Sequence, residues 1–169
     1  MTFLTIHAPE VLHIACANNQ LKMLHFLIGT IHMQQLRNEA GYYPIHYAVI
    51  GSRQGENPAC LNYLLKKGAN VNTRGPFACT PLHIAVIYHR LDLVRLLYEK
   101  GAHLDGLIEE GHFHLKPIHL AAVRDNMDIA TFLLTHGANP FFLNQDRHSP
   151  LTRAILDLED NQETVITFF

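Results

Sequence analysis

The chain has 169 residues, 48% hydrophobic and 17% charged, with a formal net charge of −2. This is enough apolar sequence to bury one core, and it excludes a disordered chain. The 13 lysines and arginines are scattered, which excludes a basic stripe for nucleic acid, and no apolar run approaches the ~18 residues that span a bilayer.

Residues 1–17 are fairly apolar but are broken by His7, Pro9, Glu10 and His13, and they lack the basic start of a signal peptide. Glu10-Val11-Leu12-His13 then opens a first helix, followed by Ala15. A second helix carries Met23-Leu24 and Phe26-Leu27 on one face. The same order returns three more times. Tyr43-Pro44-Ile45-His46 leads to Cys60-Leu61 with Tyr63-Leu64, and Thr80-Pro81-Leu82-His83 to Leu93-Val94 with Leu96-Leu97. Lys116-Pro117-Ile118-His119 leads to Ile129-Ala130 with Phe132-Leu133. Ser149-Pro150-Leu151-Thr152 begins a fifth unit, in which Val165-Ile166 and Phe168-Phe169 restore the second-helix spacing after an acidic stretch at 157–163. The fourth motif positions fall at 13, 46, 83, 119 and 152, at intervals of 33, 37, 36 and 33.

Each unit therefore reads as two short helices. Pro44, Pro81, Pro117 and Pro150 take the first helical position, where a missing N–H costs nothing. Thr80 and Ser149 are expected to cap with their hydroxyls, whereas Glu10, Tyr43 and Lys116 replace the cap at about 1 kcal/mol each where nothing substitutes. Gly68-Ala69, Gly101-Ala102 and Gly137-Ala138 close the second helices with a left-handed residue. The second unit carries about four extra residues within 51–57, after which Asn57-Pro58 reads as a fresh cap and first helical position. The span 104–115 is longer by three, which lengthens the finger between the third and fourth units.

Thr80-Pro81-Leu82-His83 with Ala85, and Leu64-Leu65 with Gly68-Ala69, resemble the ankyrin repeat, and the resemblance runs from about Pro9 to Phe169. It implies an all-α fold, an ankyrin-repeat solenoid of stacked helix-turn-helix units with hairpin-like finger loops. The whole of 1–169 is then a single ankyrin-repeat domain, with approximate repeats at 8–37, 38–74, 75–110, 111–143 and 144–169. The resemblance makes His13, His46, His83 and His119 structural, hydrogen-bonding within and between neighbouring loops. It also sets Asn72 in the context where some ankyrin repeats are hydroxylated, against a plain role in bonding its turn.

The function implied is a protein–protein interaction module that binds a partner protein through its concave face, as a scaffold, inhibitor or effector. The alternative is the targeting domain of a larger enzyme or bacterial effector whose catalytic part lies outside this chain, and a third reading has Phe168-Phe169 docking another copy. Carried over by position, the partner-binding set is Glu39, Tyr42, Arg74, Phe77, His112 and Phe113 on the fingers. Ile87, Tyr88, Val123 and Arg124 join it at the ends of first helices. Aromatic residues and arginine are the types enriched at binding hot spots, though Phe77 and Phe113 have the alternative of folding inward to brace their loops.

Catalytic motifs are absent: there is no nucleophile elbow, phosphate loop or zinc-protease helix. His112 and His114 alternate on a finger, but no cysteine or carboxylate pair completes a metal site beside them. Cys16, Cys60 and Cys79 fit no metal or disulfide framework and read as reduced thiols. The expectation is thus a monomer without enzymatic activity, cofactor, metal, nucleic-acid partner or membrane insertion. It is cytoplasmic or nuclear or, as a bacterial effector, secreted into the host cytosol.

Overall fold

A computed structural model describes residues 3–28, 37–52, 56–110 and 113–143, together with Arg147, Ser149 and Thr152. Among the described residues, eight helices form four pairs. These are α1 (Phe3–Ala17) with α2 (Leu21–Ile28), α3 (Pro44–Ile50) with α4 (Ala59–Lys66), α5 (Pro81–Ile87) with α6 (Leu91–Glu99), and α7 (Pro117–Val123) with α8 (Met127–Thr135). The first helices stack α1 on α3 on α5 on α7, and α2 packs on α4 and α6 on α8 behind them. This is the expected all-α solenoid. Its core is one continuous seam of residues from both layers, with Leu12, Leu24, Leu61, Leu82, Leu93, Leu97, Ile129 and Leu133 fully buried.

Local sequence sets these elements as the motif requires. Pro44, Pro81 and Pro117 each open a first helix. Gly68, Gly101 and Gly137 take φ of 85°, 87° and 97° after the second helices, a region open to glycine without strain. The following alanine amide then reaches back to close each helix, as in Ala102 N–H to the Leu97 carbonyl at 2.9 Å. The lengthened finger after the third pair is a true hairpin of two antiparallel strands, β1 (Ile108–Glu110) and β2 (Phe113–Leu115), in register Ile108↔Leu115. β1 lies against the 3-10 turn at Pro76–Ala78, so neighbouring fingers touch.

Some expectations are corrected. α1 begins at Phe3 and runs through Pro9, so Glu10 is inside a helix rather than at a cap. α4 starts at Ala59 with Pro58 as the flanking residue, one position later than expected. The cap of α4 comes from the preceding pair: the Cys60 amide donates to Asn19 Oδ1 at 3.0 Å. Ser149 does act as a cap, its Oγ accepting the Thr152 amide at 3.2 Å. Residues 29–36, 53–55 and the rest of the fifth unit lie outside the described residues.

Candidate interaction face

The fingers are held by a ladder of motif histidines. His13 Nε2 bonds the Tyr42 carbonyl at 3.0 Å, His46 Nε2 the Cys79 carbonyl at 3.1 Å, and His83 Nε2 the Gly106 carbonyl at 3.1 Å. Each bond runs from one repeat to the finger leading into the next. At the other ring nitrogen, Nδ1 accepts the backbone N–H of the residue flanking its own helix: Tyr43 to His46 at 3.1 Å, Thr80 to His83 at 3.1 Å and Lys116 to His119 at 3.2 Å. At His46 and His83, acceptance at Nδ1 and donation to a carbonyl at Nε2 together fix the neutral tautomer. The histidine therefore holds the flanking residue's own N–H at Tyr43 and Lys116 just as at Thr80, where, against expectation, the hydroxyl makes no cap bond to the helix N–H groups. At Thr80 the hydroxyl donates to His83 Nδ1 at 2.7 Å. Burial pushes His46 and His83 down to about 4, with the carbonyl bonds pulling the other way.

Side chains from the turns join repeats at their other end. Asn19 and His89 both hold left-handed backbone, with φ of 50° and 56°. Asn19 Nδ2 donates to the Asn57 carbonyl at 2.9 Å, and His89 Nδ1 meets Asn126 Nδ2 at 3.0 Å. After the second helices, Asn72 bridges forward, donating to the Gly101 carbonyl at 2.9 Å and accepting the His103 amide at 2.8 Å. Its positional counterpart Asp105 accepts Lys116 Nζ at 3.0 Å, and that ammonium lies 3.9 Å from the Phe142 ring centroid. None of these cross-repeat partners was identifiable from the motif.

On this frame the expected contact residues separate. Glu39 and Arg74 are exposed on their fingers, and Tyr42 is half-buried with its ring edge-on to Tyr47 at 5.8 Å. Phe77 is exposed rather than folded inward, and it stands on left-handed backbone at φ 53° within the 3-10 turn. Such a conformation is rare for a bulky residue and holds the ring away from the core. Tyr88 is exposed at the end of α5. Val123 and Arg124 are half-buried at the end of α7. Burial lowers the Arg124 pKa, and its Nε is shielded from solvent with no hydrogen-bond partner. Ile87 departs from the expectation: at 8% exposure it belongs to the core seam and offers little to a guest. His112 and the side chain of Phe113 lie outside the described residues.

Arg90 is buried and grips Asp92 with two bonds, Nε to Oδ1 at 2.9 Å and Nη2 to Oδ2 at 2.7 Å, which hold that carboxyl below its usual range. Cys16, Cys60 and Cys79 are buried and outside any disulfide; burial raises the Cys16 thiol pKa and pushes Cys60 up to about 11, which makes both poor nucleophiles. No three His, Cys, Asp or Glu side chains converge among the described residues, and no helix there is long and apolar enough to cross a membrane.

Comparison with known proteins agrees with this architecture. A family model described as ankyrin repeats in three copies matches residues 12–108, and a single ankyrin repeat matches 116–145. The chain is 40% identical over 62 residues to ankyrin repeat and SOCS box protein 11 of Mus musculus, covering 37% of this chain and 18% of that protein. It is 31% identical over 111 residues to protein fem-1 homolog C of Homo sapiens, covering 56% and 18%. It is 35% identical over 65 residues to ankyrin repeat protein OPG189 of Variola virus, covering 38% and 11%. The matched segments thus span less than a fifth of these relatives. With paired helices in register, histidine-bonded fingers and a matching family model over more than half its length, the chain belongs to the ankyrin-repeat family, whose repeats are in general non-catalytic protein–protein interaction modules.

Proposed function

We propose that this chain grips a partner protein through the groove between its fingers and the ends of α3, α5 and α7, without catalysing a reaction. The observation that carries this reading is the pairing of exposed Tyr88 with the desolvated, unpartnered Arg124 Nε at equivalent positions of successive repeats. A shielded guanidinium N–H without an acceptor costs free energy that a guest's carbonyl or carboxylate recovers. Glu39, Tyr42, Arg74, Phe77 and Val123 extend the contact surface, and Ile87 supports it from beneath. The three buried cysteines, none of them in a disulfide, favour a reducing compartment, the cytoplasm or nucleus. We take 1–169 as a single ankyrin-repeat domain, with approximate repeats at 8–37, 38–74, 75–110, 111–143 and 144–169.

The longer relatives favour a second reading, in which the same groove targets a larger protein to its partner. Capture from native host lysate, identified by mass spectrometry, tests the groove. The double variant Tyr88→Ala, Arg124→Ala is expected to lose the captured protein while its melting temperature stays close to that of the parent. Retained capture, or unfolding of the variant, refutes the assignment.

A further inference from the structure

One guanidinium of this chain is satisfied from within and another is not. Arg90 is held by Asp92 through two bonds, whereas Arg124 Nε is shielded from solvent and meets no acceptor among the described residues. Arg124 stands at the end of α7 and lines a cavity of about 450 Å³ with His89, Asp125, Asn126, Met127 and Asp128. That volume falls within the range of ligand-sized clefts, about 300–1,000 Å³.

The donors and acceptors on the cavity wall can be assigned. Asn126 Oδ1 accepts the Ile129 amide at 3.1 Å, so its Nδ2 is the group that donates to His89 Nδ1 at 3.0 Å. The neutral His89 ring then carries its proton on Nε2. Arg124 and His89 therefore contribute N–H donors. Asp125 and Asp128 contribute acceptors, and both are exposed and make no ion pair among the described residues. Asp125 is held on left-handed backbone at φ 50°, Asp128 sits in the first turn of α8, and neither bonds Arg124.

With His89 neutral, the wall holds one cation and two carboxylates, a formal charge of −1. A carboxylate guest would add a third negative charge to the same cavity and would shed the strong hydration of an ion on entry. An amide brings an acceptor for Arg124 and an N–H for Asp125 or Asp128, and it brings no charge. We propose that the partner docks an uncharged amide in this cavity, either a main-chain peptide group or the carboxamide of an Asn or Gln, and that Asp125 and Asp128 turn acidic groups away. This rests on the groove being the binding face.

A phage-displayed library of random peptides, panned on the full chain, tests the assignment. The selected peptides are expected to be no richer in Asp or Glu than the starting library. They should bind Arg124→Ala about tenfold more weakly, the worth of one hydrogen bond to a charged group. Arg124→Lys keeps the charge but loses the planar fork, and it should weaken the same peptides with the melting curve unmoved. The double variant Asp125→Asn, Asp128→Asn is expected to select peptides that gain Asp and Glu. Enrichment of Asn or Gln at one position assigns the side-chain source of the amide; loss of binding on methylating a single backbone nitrogen assigns the main chain. Acidic peptides selected by the parent, an unchanged composition on the double variant, or no peptide that depends on Arg124 overturns the proposal. Peptides that need Tyr88 but not Arg124 overturn it too, while leaving the groove itself intact.

Discussion

Acid is expected to unfold this protein through its motif histidines. In the native state His83 is neutral and fully buried, with Nδ1 accepting from the Thr80 amide and Nε2 donating to the Gly106 carbonyl. Protonation at Nδ1 would set two donors against each other and place a charge in the core. His46 has the same environment. Both ionise near 4 when folded and near 6.5 as free side chains. Because the folded values are depressed, the unfolded chain binds the extra protons between those limits. The contribution is thus complete above pH 6.5 and is lost as pH falls toward 4. One pKa unit is worth about 1.4 kcal/mol, so each histidine forfeits about 3 kcal/mol by pH 4 and the two together about 6. That rivals the whole stability of an ordinary domain, about 5–15 kcal/mol. Urea titrations at several pH values between 7.5 and 4.5 measure this directly. The slope is expected to approach about 2.4 kcal/mol per pH unit near pH 5 and to fall by roughly half in His83→Asn. A stability that stays flat from pH 7 to 4.5 would falsify the assignment of these rings as neutral hydrogen-bonding struts.

Two further substitutions probe the joints between repeats. A Cβ at Gly51 would collide with the carbonyls of Cys16 and Ala17. Gly51→Ala should therefore pry α3 from α1 and cost about 1–3 kcal/mol, read as a lower urea midpoint; an unchanged midpoint would show that the joint has slack. Asn72→Ala removes two of the bonds that tie the second unit to the third, an expected loss of about 1–2 kcal/mol. Amide exchange at His103 should accelerate in that variant, and unaltered exchange there would refute the bridging role.

The fold was legible because its rules are local. Proline at the first helical position and glycine after the second helix act within one turn of chain, so Pro44, Pro81, Pro117, Gly68, Gly101 and Gly137 each mark a boundary found in the structure. The extra length in 104–115 likewise announced a finger that became β1 and β2. What escaped the sequence depends on neighbours 20 to 45 residues away. Nothing in Asn19 itself says that it caps α4, and nothing in Ile87 says that the stack closes over it while leaving Tyr88 in solvent. The motif histidine is legible as structural, but its hold on the backbone N–H of Tyr43 and Lys116 follows only from the ring's orientation. The left-handed backbone at Asn19 and Asp125 left a faint trace, since Asn and Asp tolerate that region; His89 gave no such hint.

The forward clasps made by Asn19, His89 and Asn72 each cross a single junction and reach no further. Such a molecule is mechanically a row of hinges in series rather than a ball. Tension applied between its ends would be borne by the weakest hinge, so it should lengthen in steps of one hairpin, each release leaving the remaining rod intact.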